Sequence, residues 1–239
     1  MTARHLRRSA VLCRRFGGSH VPTIANLLAR QARRWQIEGG AGMPQPRGPL
    51  VAFSRWAGAC GDEVAGRVAE WLDYGFFGPE TIDRLAAEPA LAAHLEANLD
   101  TAQRDAIEER VATVLRKAPG APPGLVRVVA TLGERGMAVL LGRGAASILP
   151  SARALRVLIV APGALRAERT AKAQGIPLAE AAACVASADG ARRAALHDRF
   201  GIAAEDLTHY DLVLNTEALS IEAAAALVVD ALRRRFPLR

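Results

Sequence analysis

Lysine is nearly absent: of 31 basic residues only Lys117 and Lys172 are lysines. Any phosphate this chain binds is therefore held by arginine forks and backbone amides. Cysteine is sparse too, with three residues at 13, 60 and 184 and no CxxC spacing. That excludes a zinc ribbon or a disulfide framework and fits a reducing compartment. No run of 18 apolar residues occurs, so no membrane-spanning helix is expected. The start lacks the continuous apolar core and small-residue cleavage site of a secretory signal, and a cytoplasmic location is expected. The five histidines, 5, 20, 94, 197 and 209, show no HExxH or other metal spacing, and there is no GxSxG elbow. No protein-borne metal site and no serine hydrolase are expected.

What charge there is lies unevenly. The net charge is +7, yet residues 1–47 hold nine arginines against one acid, Glu38. The remaining 192 residues carry 22 basic and 23 acidic side chains, so the body is neutral and the basic character belongs to an appendage. Aromatics interleave with those arginines only at Phe16 and Trp35, which makes nucleic acid an unlikely partner. Within the appendage, Ile24, Leu27, Leu28, Ala32 and Trp35 fall at helical spacing opposite arginines, and 38–49 read as a linker. The expected division is a basic extension over 1–47, with one amphipathic helix and a linker, and a single domain over 48–239.

The body alternates strands and helices. Leu50 to Ser54 reads as a buried strand, followed by a helix from Asp62 with Val64, Val68, Trp71 and Leu72 on one face. "YGFFGPETIDRL" gives a short strand, a Gly-Pro turn and a helix, and apolar positions between Leu91 and Leu115 predict one long helix ended by "PGAPPG". A helix over 125–134 leads to the strand "MAVLLGRG"; "ALRVLIVAPG" and "YDLVLNT" are further strands, with 164–206 helical between them and a last helix at 220–235. This order predicts an α/β fold with a parallel sheet covered by helices on both faces. Ligands then sit at the strand carboxyl ends: Ser54-Arg55, Gly142-Arg143-Gly144, Ala161-Pro162 and Asn215-Thr216.

"VAFSRWAGACGDEVAGRVAEWL", residues 51–72, has the outline of a phosphate-binding loop. Its glycine-bearing turn would let amides converge at a helix N-terminus. The lysine and hydroxyl of GxxxxGK[ST] are missing, and Gly61, Asp62 and Glu63 stand near their places. Read from these residues alone, the loop is either a nucleotide site or a structural turn. The candidate phosphate-binding stretch comprises Ser54, Arg55, Gly58, Ala59, Cys60, Gly61, Asp62 and Glu63. Asp62 and Glu63, being acids, would face magnesium or solvent rather than phosphate.

Six segments in order decide between those readings: "FSRWAGACGDEVAGRVAEWL", "YGFFGPETIDRLA", "GMAVLLGRGAASILP", "ALRVLIVAPGALRAER", "SADGARRAAL" and "YDLVLNTEALSIEAA". Together they resemble the cytidylate kinase-like family of P-loop proteins, over roughly residues 21–235. The family's loop, Ser-Arg-x-x-Gly-Ser-Gly-Gly, also lacks the lysine. Ser54, Arg55, Gly58 and Gly61 match it, while Ala59 and Cys60 replace a Ser and a Gly. The Cys60 side chain would crowd the phosphates or change the backbone, and it is open whether it is a filler or a redox switch.

The resemblance implies a P-loop NTPase fold with a helical lid insertion within 163–209, and ATP with Mg²⁺ as cofactors. It also implies transfer of the γ-phosphoryl group to a CMP-like or other small phosphate acceptor. Arg166 and Arg169, three apart after the third long strand, take the place of catalytic lid arginines; a solvated charge face with Glu168 is the alternative. Arg143 of the "GRG" segment, Asp189 and Arg192 take the place of acceptor-binding residues, against an ordinary helical ion pair for the last two. Magnesium would be held mainly by ATP oxygens and waters, with Ser54 or Asp62 contributing. Gly142-Arg143-Gly144 matches the family's "GRG", but two differences bear on cytosine specificity: true cytidylate kinases, to which the family is similar, have an Asp where Gly144 stands, and Gly78 replaces a second carboxylate. A catalytically inactive nucleotide-binding or protein-interaction module on the same fold is the rival reading.

Overall fold

In the computed structural model, residues 48–97 and 99–237 are described. The basic extension, with its expected helix and linker, lies outside them. The chain opens with β1 (Leu50–Arg55) and α1 (Gly61–Leu72). Then come β2 (Gly75–Phe77), α2 (Pro79–Ala87), α3 (Pro89–Glu96), α4 (Thr101–Lys117) and α5 (Pro123–Arg135). They are followed by β3 (Ala138–Leu141), α6 (Ala145–Ile148), β4 (Ala154–Val160), α7 (Gly163–Gln174) and α8 (Leu178–Phe200). A short 3₁₀ turn at Leu207–His209 precedes β5 (Leu212–Asn215) and α9 (Ile221–Arg235).

The five strands form one parallel sheet in the order β2-β3-β1-β4-β5. Period-two alternation sends β1 side chains to both faces. Leu50 and Ala52 join Phe77, Leu140, Ile82, Leu125 and Leu132 in one buried cluster, on the side of α2 and α5. Val51 and Phe53 join Val139, Leu141, Val157 and Ile159 in another, against Val64 and Val68 of α1 and Val228 and Leu232 of α9. A parallel sheet covered in this way needs continuous apolar strands, and all four residues of β3 are buried. β1 is central: the chain leaves it for β2 on one side, returns through β3, and crosses to β4 on the other side, so the crevice forms at the carboxyl ends of β3, β1 and β4.

Two helix boundaries differ from the sequence expectation. The long helix predicted between Leu91 and Leu115 is two helices, because Asp100 caps α4: its Oδ1 accepts from the Gln103 amide at 2.7 Å, and Gln103 Oε1 accepts from the Asp100 amide at 3.1 Å. This reciprocal capping box satisfies donors that an uninterrupted helix would not expose, so apolar periodicity runs on across a real break. The segment 164–206, expected to be helical, holds two helices and its helical part stops at Phe200. Gly175, at φ 66°, ends α7, and Gly201, also at φ 66°, ends α8. The resulting α7–α8 hairpin packs over the loop after β1. No helix among the described residues is long and apolar enough to cross a membrane.

Candidate active site

β1 leads into the turn Trp56–Cys60, and α1 begins at Gly61. Gly58 has φ 75°, and a Cβ there would stand 2.6 Å from the carbonyl oxygen of Arg166. Only glycine satisfies both the left-handed backbone and the close approach. Ala59 is fully buried, its carbonyl accepting from Thr216 Oγ1 at 2.9 Å. At Gly61 a Cβ would lie 2.5 Å from Arg55 Cβ, so the start of α1 packs directly on the Arg55 side-chain stem.

Cys60 takes a left-handed conformation that favours glycine, at φ 57° and ψ 26°. That backbone angle costs about 1 kcal/mol. It gives α1 no side-chain cap, and the first-turn amides of Gly61 and Asp62 have no acceptor among the described residues. Burial, followed by the charge of Glu63, pushes the Cys60 thiol up. A thiol held protonated is a poor nucleophile, so the filler role fits better than the redox one.

Asp62 turns back onto Arg55, its Oδ1 accepting from Nε at 2.7 Å and its Oδ2 from Nη2 at 3.3 Å. Glu63 has no ion-pair partner among the described residues. Burial raises its pKa, and the neighbouring Asp62 charge adds to the shift. With its folded-state pKa above the unfolded one, this carboxyl favours the fold below the unfolded pKa, and the contribution is lost as pH rises through the folded pKa. Glu63→Gln is therefore expected to raise Tm near neutral pH by about 1–2 °C, a gain that vanishes below about pH 4. Thermal melts of the two proteins at both pH values check it; an equal shift at both would point to packing instead.

The arginines of the α7–α8 hairpin converge on the loop. Arg166 donates from Nε to the Ala161 carbonyl at 3.0 Å and from Nη1 to the Ala57 carbonyl at 3.1 Å. It also forms a two-pronged pair with Asp189, at 3.0 and 2.9 Å, and the two side chains are only 11% and 8% exposed. Arg169 donates to the hydroxyl and carbonyl of Thr216, at 3.0 and 2.7 Å. Arg192 donates to Ser54 Oγ at 3.1 Å, to the Tyr210 hydroxyl at 2.9 Å and to the Ala204 carbonyl at 3.3 Å. Burial pulls the Arg192 pKa down, with Tyr210 opposing. Arg169 and Arg192 thus hydrogen-bond only neutral groups and, among the described residues, have no carboxylate within salt-bridge distance.

Arg143, after β3, lies between Gly142 and Gly144, and all three have positive φ: 74°, 54° and 75°. Its Nη2 donates to Asp83 of α2. Gly142 borders Arg55, whose Nη1 would be 3.1 Å from a Cβ at that position. Ser54, the 58–63 turn, Arg166, Arg169, Asp189 and Arg192 are therefore one constellation, and Arg143 flanks it through Gly142 and Arg55. Instead of approaching Arg143, Asp189 meets Arg166.

Sequence reasoning missed four members. Trp56 carries three guanidiniums: those of Arg192, Arg193 and Arg166 lie 4.5, 5.0 and 5.8 Å from its ring centroid. Such contacts contribute about 0.5–1 kcal/mol each at exposed sites. A tryptophan within a phosphate-type turn was the available signal. Thr216 was marked only as a strand carboxyl end, and Tyr210 and Asp83 carried no signal, because they reach the site from other elements.

A model of the cytidylate kinase-like family matches residues 50–218. Among curated proteins, the cytidylate kinase of Aeropyrum pernix is 27% identical over 171 residues, 72% of this chain and 91% of that one. That of Pyrococcus horikoshii is 34% identical over 105 residues, 44% of this chain and 54% of that one, and that of Pyrococcus abyssi 36% over 78 residues, 33% and 43%. The matched region spans about half the length of the two Pyrococcus proteins. Among solved structures, an uncharacterized protein from Eubacterium ventriosum superimposes with a TM-score of 0.56 at 16% identity, covering 77% of this chain and 98% of that one. At that identity the likeness concerns the fold alone.

Proposed function

This chain belongs to the cytidylate kinase-like family, and on that premise we propose that it transfers the γ-phosphoryl group of ATP to a nucleoside monophosphate or similar small phosphate. The observation that carries this reading is the pair Arg169 and Arg192. Two guanidiniums partly withdrawn from water beside a glycine-bearing helix N-terminus, neither with a carboxylate in salt-bridge contact among the described residues, suit a counter-anion such as a phosphate group.

The loop's own groups fit the ATP phosphates. The α1 first-turn amides and Arg55 cradle them, and Gly58 keeps a side chain out of the turn. Magnesium would be held chiefly by phosphate oxygens and water. Of the nearby candidates, Asp62 is engaged by Arg55 and Ser54 Oγ by Arg192, which leaves Glu63 as the loop carboxylate without a cationic partner. When bound, the ion neutralises charge on the transferring group. Arg166 and Arg169 steady that group, while Arg143, Asp189 and Arg192 position the acceptor, Asp189 through its hold on Arg166. Phosphoryl transfer asks mainly for positioning and charge stabilisation, both of which arginines provide without a P-loop lysine.

A second reading rests on three arginines already answered by protein carboxylates: Arg55 by Asp62, Arg143 by Asp83 and Arg166 by Asp189. On that reading the fold binds nucleotide without turning it over. ADP formation from Mg-ATP, with and without each common nucleoside monophosphate, separates the two beside a nucleotide-binding titration. Stimulation by one monophosphate supports the phosphotransferase; binding without turnover for any of them sinks it.

A further inference from the structure

Arg143 is held in a strained place. A side-chain-bearing residue at φ 54° between two left-handed glycines is strained, and such strain gathers at ligand sites. Among the described residues its guanidinium makes one hydrogen bond, from Nη2 to Asp83, and its buried Nε has no acceptor. Among the described residues, four of its five N–H donors thus have no partner. The position after it contributes no side chain, and none would fit: a Cβ on Gly144 would meet Phe200 ring carbons at 2.3 and 2.4 Å. The carboxylate beside Arg143 comes instead from α2. The two side chains are 30% and 51% exposed at a strand carboxyl end, within reach of a ligand.

We propose that Asp83 is a specificity-determining residue for the acceptor's base, an inference that rests on the phosphotransferase reading of the same site. A carboxylate oxygen beside guanidinium N–H groups presents an acceptor next to donors. The complementary base edge has an exocyclic amino group next to an unprotonated ring nitrogen, as in cytosine (N4, N3) and adenine (N6, N1). Uracil and guanine reverse that order on the same edge, setting a carbonyl oxygen against the carboxylate and a ring N–H against the guanidinium. The site therefore takes a monophosphate of an amino-bearing base and refuses uridylate. A carboxylate is suited to this role because an unmatched charged hydrogen-bonding group costs about a factor of ten or more in affinity.

The test is calorimetric binding of CMP, AMP, UMP and GMP to the wild type and to Asp83→Ala and Asp83→Asn, with ADP formation measured in parallel. Mg-ATP binding and thermal melts control for folding. The expected result is CMP or AMP bound at least about tenfold more tightly than UMP by the wild type, with the ratio falling to within about threefold in both variants. Equal binding of all four nucleotides by the wild type, binding of none, or an unchanged ratio in Asp83→Ala overturns the proposal. Selective binding that depends on Asp83 without ADP formation would sink the phosphotransferase reading and leave the base preference standing.

Discussion

Arg166→Ala is expected to cost about 3–5 kcal/mol of stability as well as all measurable turnover. Arg166 bridges the Ala57 carbonyl of the loop, the Ala161 carbonyl after β4 and the Asp189 carboxylate of α8. Its removal leaves Asp189, 6% exposed, without the guanidinium that pairs with both its oxygens. Urea unfolding measures the effect; a loss under about 1 kcal/mol would mean that the pair is not structural. Replacing both partners with apolar residues of similar volume should restore most of the stability, since a buried ion pair is worth far less than the penalty of breaking it. Turnover lost in Arg166→Ala therefore reports on folding and chemistry together. Arg169→Ala separates them: Arg169 holds only Thr216, so a loss of about 10²–10³ in kcat with a stable fold would assign it to the transferring group.

Gly144→Asp, which would restore the acid found after the arginine in cytidylate kinases, is expected to destabilise the protein by about 3 kcal/mol. Aspartate tolerates positive φ better than most residues, so the larger part of the cost is the collision with Phe200. The double substitution Gly144→Asp with Phe200→Ala removes the collision but leaves the backbone strain and opens space in the core cluster that Phe200 packs against. Denaturation midpoints of the two variants check this. A fully stable single variant would mean that the Phe200 ring moves aside without cost.

Much of the fold was legible because it is written in local patterns. The apolar runs of β1, β3 and β4, the turn glycines and the amphipathic face of α1 are consequences of nearest-neighbour chemistry, and the parallel sheet covered on both faces follows from their order. The break between α3 and α4 was also local, as Asp100 and Gln103 stand three apart like a capping box, yet the apolar period masked it. Cys60 was legible as a departure but not in its result: only the coordinates show that it adopts the glycine angle.

By itself the sequence determined the order of strands and helices, that a glycine-bearing turn without lysine follows the first strand, and that the cations available to it are arginines. Only the tertiary structure decided which acid answers which arginine. Asp62, Asp189 and Asp83 lie 7, 23 and 60 residues from Arg55, Arg166 and Arg143, each on a different element from its partner. Periodicity reports the face a residue occupies within its own element, whereas a charge pair depends on the distance between elements, which the packing of the core sets.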